Sequence, residues 1–300
     1  MAKAFDTVRI DGLLYNLTLL NFPSYIVHTI SSYLRGRTFE ASFQTATSSR
    51  RGMRAGVAQG GLIPHVLFSL YVNDMPSLSH DVELALYADD KAIIATSRKP
   101  TLLVGYLESY LNDLQRWLSE WRIAINVSKS TAIIFTFAGW RFIQTRPVTL
   151  FGEPIQLGDT AHYLGVTLDI RLTWSPHIDQ ASKRTAQRMS MLGPLLNRKS
   201  DLSVRNGVRL YKQIIPPMMD YAYPAWRSAA RTHVRGLQVL QSKCLHLATG
   251  APWYVRNRHI HEDLGVPLFA NHIRAPTASF DSKLAEVGNP LVRQLGRYLR

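Results

Sequence analysis

Cysteine is nearly absent. Cys244 is the only one in 300 residues, which excludes a disulfide framework and any zinc cluster built from several thiolates. Acid is scarce too: 21 Asp and Glu stand against 35 Lys and Arg, a net charge of +14. No apolar run is long and clean enough to be read as a membrane span. The longest stretch free of charge, 55–73, is interrupted by Gln59, Gly60, Gly61, Pro64, His65 and Asn73 and reads as a buried segment, so no membrane partner is expected. Residues 1–6 hold no apolar stretch of the kind a signal sequence needs. Repeats, low-complexity tracts and heptads are likewise not discernible. What is present is a hydrophobic content of 46%, enough to bury a core and to exclude intrinsic disorder. At this length one or two domains are expected.

The positive charge is unevenly spread. Residues 1–150 carry 15 basic and 11 acidic residues, and residues 151–300 carry 20 and 10. From Lys183 to Arg258 there are 14 basic residues and only two acids, Asp201 and Asp220. Such a field attracts polyanions and steers their approach; a basic, solvated surface with no specific partner fits the same numbers.

Apolar periodicity predicts helices over 7–20 and 25–34, the first ended by Pro23. Residues 38–46 alternate as a strand, with Phe39, Ala41 and Phe43 on one side. A turn-rich Gly56-Val57-Ala58-Gln59-Gly60-Gly61 segment leads into a helix over 62–71, where Pro64 suits the first turn. Two strand-like runs, 82–88 and 91–95, are separated only by Asp89 and Asp90, which predicts a tight hairpin. A helix follows over 102–121, then short strands over 123–127, 132–137 and 163–168. Beyond Pro176 the pattern is helical only, over about 176–192, 204–215 and 233–248, the last closed by Gly250. A mixed α+β unit is therefore expected over 1–174 and a basic helical unit over 175–250, with little pattern in 251–300.

Two adjacent carboxylates at a hairpin tip repel each other unless a cation lies between them. Mg²⁺ favours one or two carboxylates plus substrate phosphates, and metals held this way clamp the oxygens of a phosphoryl displacement. By itself an Asp-Asp pair also suits an ordinary solvated turn.

Tyr87-Ala88-Asp89-Asp90 resembles the signature of reverse transcriptases, and other segments follow in that family's order. Ala4-Phe5-Asp6-Thr7-Val8 resembles the end of the first palm motif. Gly56-Val57-Ala58-Gln59-Gly60-Gly61-Leu62 resembles the Gln-Gly motif, continued by Leu67-Phe68 and Tyr71-Val72-Asn73-Asp74. Trp121, Ile125-Asn126, Lys129-Ser130 and Phe135 resemble the segment after the catalytic hairpin, and Tyr163-Leu164-Gly165-Val166 the strand pair that grips the primer end. Tyr221-Ala222 with Pro224-Ala225-Trp226, and Ala251-Pro252-Trp253-Tyr254, are similar to non-LTR retrotransposons of the jockey type.

The resemblance implies an α+β right-hand polymerase: a palm, an antiparallel sheet packed on helices, over 1–150, primer-grip-like strands over 151–174, and an all-helical basic thumb over 175–250. A loosely defined extension would cover 251–300. It implies RNA-directed DNA polymerisation, in which a primer 3′-hydroxyl attacks the α-phosphate of a deoxynucleotide and releases pyrophosphate. The partners would be an RNA template, a DNA primer or duplex, and deoxynucleotides, with Mg²⁺ or Mn²⁺ as cofactor.

Asp89 and Asp90 would hold the metal. Phe5 would stand where the family excludes a ribose 2′-hydroxyl, while also suiting a core position. Gln59 and Gly60 would lie along template and nucleotide, or form an ordinary loop. Lys129 would sit near nucleotide phosphates, or be simply solvated. Lys183, Arg184 and Arg188 would track the duplex backbone, or be surface charges. Nuclear location is what the family's chromosomal targets imply.

The chain also departs from the pattern. The family's first palm motif opens on a metal-binding Asp that would fall one position before Met1, and the fingers would lie further upstream, so polymerase activity is expected to be weak or absent. Pro64-His65 stands for a usual Ser-Pro, Lys91 for a small or hydroxyl residue, and Arg9 for an aromatic one. Lys91 is expected to pair with Asp89 or Asp90 and compete with metal. The rival reading is a non-catalytic, nucleic-acid-binding remnant of a decayed element.

Overall fold

A computed structural model describes residues 4–58, 60–76, 81–135, 146–197 and 200–287. Two compact units divide the chain. The first runs to Gly158, apart from Phe135–Ala138, and the second begins at Asp159.

In the first unit the helices Ile10–Leu19, Ser24–Leu34, Ile63–Tyr71 and Pro100–Glu120 surround one hydrophobic core. Val104, Tyr110, Leu111, Leu114, Trp117 and Leu118 recur at helical spacing on the last of these and are all buried, which makes the amphipathic helix that periodicity predicts there. Asn16 is buried where a polar side chain needs partners. Its amide donates to the Tyr71 carbonyl at 3.2 Å and the Leu70 carbonyl at 3.4 Å, occupying acceptors that the end of Ile63–Tyr71 leaves unpaired. Pro64 lies in the first turn of that helix, as expected.

The strand expected over 38–46 is instead broken into short pieces. Thr38–Phe39 pairs with Arg51–Gly52, and Ser42–Phe43 pairs with Ala46–Thr47. Gln44 turns the second pair at φ +53. Phe43 is 78% exposed, so no core rewards the alternation, and the backbone folds back on itself. The strand expected over 123–127 is an extended segment closed by a 3₁₀ turn, Val127–Lys129. Of the strand expected over 132–137, Thr131–Ala132 pairs in parallel with Gln156–Leu157; residues beyond 135 lie outside the described set.

In the second unit the strand expected over 163–168 is a hairpin, Thr160–Tyr163 against Val166–Asp169. Leu164 and Gly165 turn it with φ +47 and +76, the double positive φ of a type I′ turn. The helices Ser175–Leu196, Val204–Met219 and Arg231–Thr249 follow, the last closed by Gly250 at φ +62. Shorter helices, Asn257–Asp263, Phe269–His272 and Arg274–Glu286, occupy sequence where little pattern was expected. Ile260, Val266, Phe269 and Ile273 from this region join Tyr211, Ile215, Trp226 and Leu237 in one core. Helices of four and seven residues are too short to display a period.

Asp169 fixes the entry to Ser175–Leu196. Its carboxylate accepts from the Trp174 amide at 2.9 Å and from the Thr173 amide and hydroxyl at 3.0 and 2.9 Å. Burial pushes its pKa up, but these hydrogen bonds outweigh that, and the net direction is downward. A folded pKa below the unfolded one stabilises above the unfolded value, and the gain is lost as pH falls through the folded value. Asp169→Asn places an amide group against N–H donors, so the variant should lose about 2 kcal/mol at pH 7. Urea unfolding of the two proteins should give that gap at pH 7 and converging midpoints near or below the ordinary aspartate range. A gap that persists at low pH would contradict the assignment.

Candidate active site

The Val82–Tyr87 and Asp90–Ala95 strands pair antiparallel from Val82 with Ala95 to Tyr87 with Asp90. The two-residue connection is therefore Ala88 and Asp89, with Ala88 at φ +50. This corrects the expected turn by one residue: Asp90 belongs to the strand, and Ala88 to the turn. The physical reason is that Ala88 accepts a left-handed conformation normally given to Gly, Asn or Asp, at a cost of about 1 kcal/mol.

Pleating then divides the hairpin. Val82, Leu84, Ile93 and Ala95 face the core, with Leu86 and Lys91 paired on the same side. Glu83, Ala85, Tyr87, Asp90, Ala92 and Ile94 share the other face. Asp90 and Tyr87 are exposed and Asp89 is half-buried. Lys91 is directed away from Asp90: its ammonium lies 5.7 Å from the centre of the Trp117 ring. Burial lowers its pKa to about 8. Of the two pairings expected for Lys91, with Asp89 or with Asp90, strand geometry opposes the one with Asp90, and the Trp117 face adds a cation–π contact.

Phe5 packs against the same core as Leu84 and Ile93. Its ring meets Phe68 at 4.9 Å and His65 edge-on at 5.3 Å. The Gln-Gly segment docks on it through the backbone: Gly56 N–H donates to the Val8 carbonyl at 2.8 Å, and Val57 N–H to the Phe5 carbonyl at 2.9 Å. Sequence reasoning missed Arg37, whose guanidinium donates to the carbonyls of Gly56 and of Leu34. A lone basic residue after Gly36 carries no signal of that role. Gly60 is exposed at φ +97, and Gln59 lies outside the described residues. Lys129 is exposed at the end of the 3₁₀ turn.

Lys183, Arg184 and Arg188 are exposed on Ser175–Leu196, in the second unit. Sequence reasoning also gave no role to Tyr221, although its motif was noticed. The Tyr221 hydroxyl donates to the Leu164 carbonyl at 2.9 Å. A Cβ on Gly165 would come within 3.1 Å of the same ring, so glycine there permits both the positive φ and the close ring. Tyr221 thereby fixes the turn of the 160–169 hairpin.

Among the described residues, no group of three or more His, Cys, Asp or Glu side chains lies together. Asp89 and Asp90 do form a hard, oxygen-only donor pair at a surface tip. That donor set fits a divalent cation whose other positions are taken by water and substrate phosphates.

The first unit is thus a mixed α/β unit whose antiparallel hairpin packs on helices and carries two carboxylates at its tip. A family model described as reverse transcriptase (RNA-dependent DNA polymerase) matches residues 1–168, and the chain belongs to that family. It is 33% identical over 301 residues to the RNA-directed DNA polymerase from mobile element jockey of Drosophila melanogaster, and 35% identical over 302 residues to the polymerase of the same name from Drosophila funebris. Each match covers 98% of this chain and 32% of the relative. The probable RNA-directed DNA polymerase from transposon BS of Drosophila melanogaster is 33% identical over 302 residues, 98% of this chain and 33% of the relative. These agree with the jockey-type, non-LTR resemblance of the motifs. The chain spans about a third of the length of these curated relatives.

Proposed function

We propose that this chain supplies the palm and thumb of an RNA-directed DNA polymerase, the first unit being the palm and the helices of the second the thumb. The observation that carries the reading is the antiparallel hairpin whose tip holds two consecutive carboxylates, Asp89 in the turn and Asp90 at the start of the second strand. Asp89 and Asp90 would hold Mg²⁺, with Mn²⁺ as a substitute. When bound, the ion supplies neutralisation of charge at the reacting phosphate.

The remaining roles belong to this chain's own residues. Phe5, held against Phe68 and His65, would be the aromatic wall against the sugar of an incoming deoxynucleotide. The backbone bonds from Gly56 and Val57 hold the Gln-Gly loop beside it, so Gln59 and Gly60 would run along template and nucleotide. Lys129 would approach the phosphates. Lys183, Arg184 and Arg188 would neutralise the backbone of a primer–template duplex, which positions it without reading its sequence. Positioning and charge neutralisation do most of the work in phosphoryl transfer.

The test is primer extension on an RNA template with Mg²⁺, using this chain alone and within a polypeptide of the length of its relatives. Incorporation in the longer form should disappear in the Asp89→Asn/Asp90→Asn variant. Incorporation that survives the double substitution sinks the assignment of these carboxylates. Duplex binding without incorporation would favour a nucleic-acid-binding role instead.

A further inference from the structure

The aromatic motif at 251–254 is unused by the polymerase reading, and its geometry is unusual. Trp253 is 92% exposed and Tyr254 70%. Among the described residues, no large apolar side chain is more exposed than Trp253. Both occupy the central positions of a turn closed by Val255 N–H donating to the Pro252 carbonyl at 3.1 Å. Turn centres favour Gly, Asn, Asp and Ser, so two aromatic rings here expose apolar surface that folding does not use.

The turn is nonetheless pinned at both ends. Ala251 and Val255 pack against the core of the second unit. The Ala251 amide donates to the Thr249 hydroxyl at 3.3 Å, and His246 Nε2 lies 2.8 Å from Asn257 Oδ1. Apolar residues on either side of the tip therefore face inward while Trp253 and Tyr254 face out. The two rings meet edge to face, centroids 6.0 Å apart at 80°, a contact that leaves a face of the indole open.

Charge selects the occupant. No acid occurs between Asp220 and Glu262, an interval that holds Arg227, Arg231, Arg235, Lys243, Arg256 and Arg258. Arg258 is paired with Glu262 at 2.7 Å and Arg227 with Asp281 at 3.0 Å; Arg256, two residues from Tyr254, is exposed. Exposed aromatic faces with an exposed arginine two residues away, in a segment of basic excess, suit a strand with unpaired bases, because stacking needs a free base face and the charge follows the phosphates.

We propose that Trp253 and Tyr254 form a stacking platform for unpaired bases of single-stranded nucleic acid. The inference rests on the reading above only in taking nucleic acid as the partner. It makes no use of the hairpin carboxylates.

The test compares the full chain with its Trp253→Ala/Tyr254→Ala variant by fluorescence anisotropy. The probes are labelled oligouridylate, oligothymidylate and a blunt duplex of equal length, each titrated across a salt series. The variant should bind both single strands about tenfold or more weaklier than the native chain. The slope of log Kd against log salt should be unchanged, since phosphate contacts remain. Duplex binding should move by less than about twofold, and Trp253→Phe/Tyr254→Phe should restore most of the loss. An unchanged melting temperature is expected, because neither ring is buried.

Single-strand affinity that survives the alanine substitutions, or falls equally for duplex, overturns the proposal. So does a native chain that binds neither single strand. Partitioning of the native chain onto phosphatidylcholine vesicles, lost with Trp253→Ala while oligonucleotide binding stays constant, would assign the platform to a lipid surface instead.

Discussion

Gly56→Ala should destabilise the first unit by about 3 kcal/mol, one of the largest single-residue effects outside the cores. Gly56 adopts φ +91, and a Cβ built there lies 3.0 Å from both the Cα and the carbonyl oxygen of Asp6. The obstruction is backbone, so no rotamer change relieves it. The position is also tied on both sides, by its amide to Val8 and by its carbonyl to Arg37. A left-handed alanine costs about 1–2 kcal/mol, and forced overpacking adds about 1–3 kcal/mol. Gly60→Ala is the matched comparison. Its φ is +97, but among the described residues nothing lies within 4 Å of an added Cβ, so only the conformational cost applies and the loss should stay near 1 kcal/mol. Urea midpoints followed by circular dichroism separate the two. Equal losses would mean that Asp6 does not press on Gly56. Because Val57 bonds to Phe5, the same substitution should loosen the Phe5 ring from Phe68 and His65.

The contrast between these two glycines shows where sequence reading ends. Gly-Val-Ala-Gln-Gly-Gly is visible as a turn-rich motif, yet nothing in it says that Gly56 sits under the backbone of Asp6, fifty residues earlier. The helices were legible wherever an apolar stripe met a core, as in Pro100–Glu120. Alternation alone was less informative. Residues 38–46 alternate without a core to receive them, and they fold into short pairs. In Tyr163-Leu164-Gly165-Val166 the apolar run hid a turn, because Leu164 takes a conformation that side chains usually avoid. Ala88 hid the hairpin turn in the same way. In each case the surrounding strand pairing overrides a local preference worth about 1 kcal/mol. Long-range partners such as Arg37 with Gly56 and Tyr221 with Leu164 are invisible to periodicity altogether, since they depend on where two distant segments meet.

Asp90→Asn should separate chemistry from folding at the hairpin. Asp90 is exposed on the outer face, paired across the strand with Tyr87, and its neighbour Lys91 is turned toward Trp117. Asparagine keeps the size of the side chain, so stability should stay within about 0.5 kcal/mol, the usual range for surface substitutions. What changes is the donor set, from a carboxylate with two anionic oxygens to a neutral amide with one acceptor. A bound divalent ion contributes several kcal/mol of charge stabilisation to phosphoryl transfer. Weakening its site should therefore slow incorporation by about a thousandfold, the equivalent of about 4 kcal/mol, in the polypeptide extended to the length of its relatives. Raising Mg²⁺, or replacing it with Mn²⁺, should recover part of the rate, as the proposed contact of Asp90 to the ion, rather than to the fold, requires. Asp89→Asn should behave alike in rate, with Asn well suited to a turn position. An Asp90→Asn variant that keeps more than about a tenth of the native rate would place metal binding elsewhere, because the arithmetic leaves no room for a spectator carboxylate to mimic a ligand.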